Sequence, residues 1–277
     1  NIMLYLICTP IGNLNDLSIR SINTLKEVDL IYAEDTRVAA RLLQHFNVSK
    51  KTMPFHEHNE LNQILDITTY LSQGENVAVM SDAGAPLISD PGYPLIQKCI
   101  ELGLEFTVLP GPSSIINAVL LSGIPSHQFT FYGFLPKPIA ARKRVAAEVK
   151  RNGLPYVFFE SAKRLSKTLE IFLEVLDQNA QISICREMTK EFESTYRGSL
   201  GEIHSQMLSS KIKLLGEFVL VVQSSIKSQG PKDLDEAFCK PFLEYMSPSD
   251  ASKLIAKVTN HSKQDVYKFL LSISNSS

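Results

Sequence analysis

The segment VAVMSDAGAPLISDPGYP (77–94) places Asp82 and Asp90, among glycine, alanine and proline, directly behind an apolar run. Such a loop is costly to order unless something fills it. The chemistry open to it is metal binding, phosphate binding, or a ligand held mainly by backbone groups. Two shorter turns have a similar make-up. TPIGNL (9–14) stiffens its turn with Pro10 and lets a ligand approach the backbone at Gly12. PGPSS (110–114) repeats the device and sets Ser113 or Ser114 where a hydroxyl caps a following helix. HEHN (56–59) offers His56, Glu57 and His58 to a divalent ion. No second Cys/His cluster completes a tetrahedral set with His56 and His58. A loop that bonds within itself, or one that meets a polar substrate, accounts for HEHN equally. There is no GxxxxGK(S/T), no GxGxxG behind the first strand and no GxSxG, which argues against a Walker phosphate site, a dinucleotide site and a serine hydrolase.

These turns need elements to position them. LYLICT (4–9) and DLIYAE (29–34) read as short strands, and Ile19, Ile22, Leu25 and Val28 recur between them at helical spacing. ENVAVMS (75–81) and LEFTVLP (104–110) read as further buried strands, with helices near 36–46, 61–72, 93–102 and 113–121. Strands alternating with helices predict a mostly parallel sheet covered on both faces. The three turns then open together at its carboxyl edge, where such sheets bind ligands. At GIPSHQ (123–128) the pattern resets, which predicts α/β domains over 1–123 and 124–223. The second half has a basic helix (140–151), a helix over 165–176 and the strands FTFYGFL, PYVFFES, AQISICREM, STYRGSL and GEFVLVVQ. Their aromatic content predicts a mixed sheet. Residues 224–235 read as a linker and 236–277 as a small helical tail. In the tail, Ser247 and Ser262 each cap a helix with one apolar face, a packing appendage or a nucleic-acid contact.

A length of 277 residues suits two domains, and 44% hydrophobic against 21% charged residues supplies a substantial core. Net charge is −1, so any nucleic-acid footprint must be local. No run reaches the roughly 18–20 apolar residues of a membrane span. Met3–Ile7 is too short for a secretory signal core. Cys8, Cys99, Cys185 and Cys239 are scattered without a CxxC pair, which fits reduced thiols in a cytoplasmic protein.

Taken jointly, LYLICTPIGNLNDLSIRSINTLKEVDLIYAEDTR, HEHN, SDAGAPLISDPGYPLI, LPGPSS, SGIPSHQFTFYGFLP, FFES with Arg164, REMTKEFE and GEFVLVV resemble the ribosomal RNA small subunit methyltransferase I (RsmI) family. That family lies within the tetrapyrrole methylase-like superfamily. The resemblance runs from Leu4 to about Gln223 and continues weakly through the tail. It implies a two-domain α/β fold of the class III S-adenosylmethionine methyltransferases, with the cofactor cleft between the domains, and a homodimer. The implied reaction is 2'-O-methylation of a cytidine in the decoding region of 16S ribosomal RNA, as RNA or in the 30S subunit, without metal or membrane. By the same resemblance Pro10, Ser81, Asp82, Ala83, Gly84 and Leu87 cradle the cofactor with Ser113 and Ser114. Phe159, Glu160 and the 186–188 strand end close over its adenosine. Asp90 is left to cap the next helix.

A methyl group on a sulfonium is already a strong electrophile, so alignment with the ribose oxygen matters most, up to roughly 7–11 kcal/mol in ideal systems. A general base adds about 10²–10⁴-fold. The candidates are Asp35, Glu57, Glu187 and, if its pKa is lowered, Lys190, and each also fits a structural ion pair. For RNA contact, Lys137, Arg142, Lys143, Arg144, Lys150 and Arg151 crowd one segment against the single acid Glu148. Lys163, Arg164 and Lys167, with Arg37 and Arg41, extend that track. A solvated helix face is the competing reading. Where many family members carry Pro-His-Arg or Thr-His-Arg, this chain has Ala162-Lys163-Arg164, which keeps the positive end without the histidine. Two further functions share these features. Methylation of a tetrapyrrole or corrinoid precursor would use the same pocket, and a non-catalytic RNA-binding protein would keep the basic surface without cofactor affinity.

Overall fold

A computed structural model describes residues 2–56, 59–88, 92–225, 234–259 and 261–274. The first half runs β1 (Leu4–Ile7), α1 (Ile19–Glu27), β2 (Leu30–Ala33), α2 (Thr36–His45), β3 (Thr52–Pro54), α3 (Glu60–Ser72), β4 (Val77–Met80), α4 (Tyr93–Leu102), β5 (Phe106–Leu109) and α5 (Ser114–Ser122). Its five strands are all parallel, in the order β3-β2-β4-β1-β5. Alternation along each strand divides its side chains between two cores. Ile7, Ile31, Ala33, Ala78 and Met80 pack against Leu25 of α1 and Leu42 and Leu43 of α2. Leu4, Leu6, Tyr32, Val77 and Val79 pack against Ile64 and Ile67 of α3 and Leu95 and Cys99 of α4. Burial on both faces is why these strands read as unbroken apolar runs.

The second half runs β6 (Thr130–Phe134), α6 (Ile139–Asn152), β7 (Tyr156–Ser161), α7 (Ala162–Val175), β8 (Gln181–Arg186), β9 (Ser194–Ser199), α8 (Leu200–Leu208) and β10 (Glu217–Gln223). The sheet order is β6-β7-β10-β8-β9, with only β6 and β7 parallel, so the sheet is mixed. One face carries α6, α7 and α8 on a core built around Tyr156, Phe158, Phe172 and Leu220. The other face takes α5, whose Ile115, Ala118 and Val119 pack on Val157, Cys185, Val219 and Val221. Helix α5 therefore starts at the carboxyl edge of the first sheet and is buried against the second, which fixes how the two halves meet.

The last residues form α9 (Glu236–Leu243), α10 (Pro248–Val258) and α11 (Lys263–Ser274) around Cys239, Ala251, Ile255, Val266 and Leu270. Ser247 caps α10 as expected, accepting the Asp250 amide at 3.2 Å, and Ser262 accepts the Asp265 amide at 3.1 Å. Three elements go beyond the sequence reading. β3 is three half-exposed residues ending in proline, α9 carries an internal Pro241, and α8 follows β9 without a break. The capping box of Ser199 and Glu202 starts α8 and was visible as S-x-x-E. Most of the linker (226–233) lies outside the described residues, as does Asp90. The N-cap of α4 is Gly92.

Candidate active site

The connections leaving β1 and β4 place their helices on opposite faces of the first sheet, since α1 joins one core and α4 the other. The crevice between two such neighbouring strands is where open α/β sheets bind ligands. The turns behind these strands are sewn together there. The Thr9 amide donates to the Gly84 carbonyl at 2.9 Å, and the Gly84 amide returns a bond to the Thr9 carbonyl at 3.0 Å. Thr9 Oγ1 donates to the Ser81 carbonyl at 3.1 Å, and Ser81 Oγ donates to the Gly84 carbonyl at 3.1 Å. Gly84 holds φ of +85°, a conformation that other residues adopt only at a cost. The turn behind β5 joins them, its Ser113 hydroxyl accepting the Ile116 amide at 3.4 Å as the N-cap of α5.

The second domain closes the opposite wall through the turn behind β8. Glu187 and Thr189 both sit at positive φ, 50° and 64°, each at a cost on the order of 1–3 kcal/mol that persists only where the surroundings impose it. The surroundings do so here. Glu187 Oε1 accepts the Glu217 amide at 2.8 Å and Lys190 Nζ at 3.2 Å, and Lys190 also reaches Glu217 Oε2 at 2.9 Å. Thr189 Oγ1 accepts the Asn13 amide at 3.0 Å, which ties this turn to the one behind β1. A side chain at Gly12 would stand 2.5 Å from Lys190 Cγ and 2.7 Å from Thr189 Oγ1, so the contact between domains requires glycine.

Between these walls lies a cleft of about 440 Å³. Ala83, Gly84, Ser113 and Ser114 line it from the first domain, and Phe134, Phe159, Met188 and Val219 from the second. Phe134 and Phe159 meet edge to face at 5.3 Å. Backbone turns on one side and aromatic rings on the other suit a ligand with a polar end and a flat heterocycle. Among the described residues, no group of three His, Cys, Asp or Glu side chains could hold a metal ion. The four cysteines are all buried and free.

Residues 3–204 match the family described as Tetrapyrrole (Corrin/Porphyrin) Methylases. The chain is 36% identical over 270 residues to ribosomal RNA small subunit methyltransferase I of Haemophilus influenzae, covering 96% of this chain and 95% of that protein. It is 43% identical over 219 residues to the protein of the same name from Thermotoga maritima, covering 79% and 97% respectively.

The chain belongs to the tetrapyrrole methylase family, in its ribosomal RNA small subunit methyltransferase I group.

Among solved structures, diphthine synthase superposes with a TM-score of 0.60 at 13% identity, over 81% of this chain and 90% of that one, a likeness of fold alone. As a tetrapyrrole methylase, the chain is a methyltransferase whose methyl donor is S-adenosylmethionine. The cleft fits that donor in volume and in wall chemistry.

Eight of the residues expected at the site line the cleft: Ala83, Gly84, Ser113, Ser114, Phe159, Glu160, Glu187 and, from the 186–188 strand end, Met188. Pro10 and Ser81 are buried behind its wall. Leu87 turns to the core under α3 and α4. Asp82 is not in the lining. Its Oδ1 accepts the Asp35 amide at 3.0 Å, which anchors the loop to the start of α2. Glu57 lies outside the described residues.

The three candidate bases among the described residues are committed elsewhere. Asp35 caps α2 and chelates Arg37, with Arg37 Nη2 at 2.6 Å, and the Arg37 bonds hold its carboxyl far below the usual range. Burial pushes the Glu187 carboxyl up, but the Glu217 amide and Lys190 more than offset this and leave it low. Burial pulls the Lys190 amine down, but Glu217 and Glu187 outweigh it and hold the amine charged. The condition under which Lys190 could act as a base is therefore not met.

The basic track is also redrawn. Arg142 is buried, with Nε donating to the Pro136 carbonyl at 2.7 Å and Nη1 to Thr168 Oγ1 at 3.3 Å. Arg164 donates to the Leu135 carbonyl at 2.5 Å and lies 3.3 Å from Glu160. The Glu160 carboxylate, fully buried, also accepts Thr168 Oγ1 at 2.6 Å and the Ser161 amide at 2.8 Å. A buried carboxylate needs such partners, so these arginines serve the interior rather than RNA. Lys143 is paired with Glu174, while Arg144, Lys150, Arg151 and Lys163 are exposed or half-exposed. Glu34, Ile11, Phe134 and Glu217 line the cleft without having been singled out from the sequence. Each stands at a strand end or inside a quoted motif, which is the signal that could have found them.

Proposed function

We propose that the protein methylates the ribose 2'-oxygen of a cytidine in the decoding region of 16S ribosomal RNA, with S-adenosylmethionine as donor, in the cytoplasm. The observation that carries this reading is similarity along nearly the whole chain to ribosomal RNA small subunit methyltransferase I proteins, joined to a cleft that fits the donor. When bound, the donor supplies a methyl group already activated on a sulfonium. The backbone of Ala83 and Gly84 and the hydroxyls of Ser113 and Ser114 hold its polar end. Phe134 and Phe159 cover its heterocycle and exclude water from the cleft. The buried Glu160 keeps its strand end rigid through Thr168, Arg142 and Arg164, so the wall does not reorganise during transfer. Arg144, Lys150, Arg151 and Lys163 give the RNA backbone a local cationic surface on a chain of net charge −1.

The enzyme works as a homodimer under this reading. Exposed apolar side chains on α5 (Ile116, Leu120) and on the edge strand β5 (Val108) support a second copy as their cover. A monomer in sedimentation at working concentration would exclude that. The reaction is tested by incubating the protein and donor with unmodified small-subunit RNA and with 30S particles, then digesting to nucleosides. One new 2'-O-methylcytidine per 16S molecule is expected. Methyl transfer to a base, or none to either RNA form, would sink the assignment.

A further inference from the structure

We infer that Glu34 is the group that takes the proton from the attacking ribose hydroxyl. Glu34 follows β2 directly and lines the cleft. In the strand order, β2 lies beside β4 on the side away from β1 and β5. The turns behind β1, β4 and β5 form the wall assigned to the donor, so Glu34 faces the same space from the flank left for the acceptor. The other carboxylates that line the cleft, and Asp35 beside Glu34, are occupied, while Asp82 stands outside the lining and accepts the Asp35 amide. Glu160 is enclosed by Thr168, Arg164 and the Ser161 amide. Glu187 and Glu217 share Lys190, and Asp35 chelates Arg37. Glu34 enters no ion pair among the described residues.

Its electrostatic setting matches the role. Burial raises its pKa most, and the charge of Asp82 raises it further. The Asp82 amide favours the ionised form, the Asp35 charge again opposes it, and His56 favours it. The balance lies above the ordinary carboxyl value. Arg37 bears on this group only through the two aspartates, since it pairs with Asp35 and attracts Asp82. A carboxylate of raised pKa is a better proton acceptor near neutral pH than an ordinary one.

The inference rests on the 2'-O-methyl transfer proposed above. As the hydroxyl oxygen forms its bond to the methyl carbon, the C–S bond breaks with its electron pair on sulfur. The hydroxyl proton passes to a Glu34 carboxylate oxygen and from there to water, so no metal or further reactant is needed.

The test compares wild type, Glu34→Gln and Glu34→Asp in single-turnover methyl transfer to the RNA form that wild type accepts, across pH. Donor affinity by calorimetry and thermal midpoint are measured in parallel. Glu34→Gln should lose about 10²–10⁴-fold in rate, together with the acid limb of the rate–pH profile, while donor affinity stays within about threefold. Glu34→Asp should keep the limb at a reduced rate. Because the folded carboxyl titrates above its unfolded value, its ionised form costs stability at neutral pH. The midpoint of Glu34→Gln should therefore match or exceed that of wild type, which separates lost chemistry from lost fold. An active wild type with a Gln variant of similar rate and unchanged acid limb overturns the assignment but leaves the methyltransferase reading intact. A wild type that binds donor yet transfers nothing to ribosomal RNA overturns the substrate, and this inference with it.

Discussion

At the scale of single residues, the site is governed by which charged groups are already partnered. Glu187 illustrates the point. In the sequence it stood as a candidate base in REMTK, but its Oε1 takes an amide and an ammonium and its backbone sits at positive φ. It is a brace for the turn that meets Gly12. Its depressed folded pKa stabilises the protein above the ordinary carboxyl range, near about 4.3, and that contribution fades as pH falls through the lower folded value. Glu187→Gln should therefore melt below wild type at neutral pH, with the gap narrowing as the solution is acidified. Thermal melts of both proteins across pH check this, and a gap that widens in acid would refute the brace. Side-chain partnership of this kind is set by residues far apart in the chain, Glu187 and Glu217 for example, so motif reading had no access to it.

At the scale of elements, helix α6 separates two roles that composition had merged. Its basic residues looked like one patch, yet helical geometry sends Arg142 inward beside Val145, Ala146 and Val149 and leaves Arg144, Lys150 and Arg151 in solvent. Arg142→Ala would strip two hydrogen bonds from the network around Glu160, with an expected destabilisation of about 1–3 kcal/mol in chemical denaturation. Arg144→Glu should leave stability unchanged and weaken binding to 30S particles. Its salt dependence should be shallower by roughly 0.7–0.9 in log–log slope for each phosphate that the arginine no longer neutralises. If instead Arg142→Ala weakened only RNA binding, the interior placement would fail. The spacing of Arg142 with Val145 and Val149 was legible, but a run of lysine and arginine masked it. The strand–helix alternation of the first half was easier to read, because parallel strands buried on both faces leave continuous apolar runs. The short β3 and the proline-containing α9 carry no such signal.

At the scale of the whole molecule, the cleft depends on the way α5 begins at one sheet and is buried on the other. The three rigid turns were recognisable one by one, and a parallel sheet predicted that they share an edge. The wall they oppose was harder to see, since Phe134 and Val219 reach it from two strands of a mixed sheet whose order is not written in the sequence. The central claim is that this cleft holds S-adenosylmethionine, and a direct titration addresses it. Ala83 lines the cleft and is otherwise exposed, so Ala83→Trp fills the ligand's space without disturbing a core. Calorimetric titration of the donor into wild type should give one saturable site per chain. The same titration into Ala83→Trp, at an unchanged thermal midpoint, should show affinity at least about tenfold weaker, or roughly 1.4 kcal/mol. No binding by wild type at millimolar donor, or equal binding by the variant, would contradict the account.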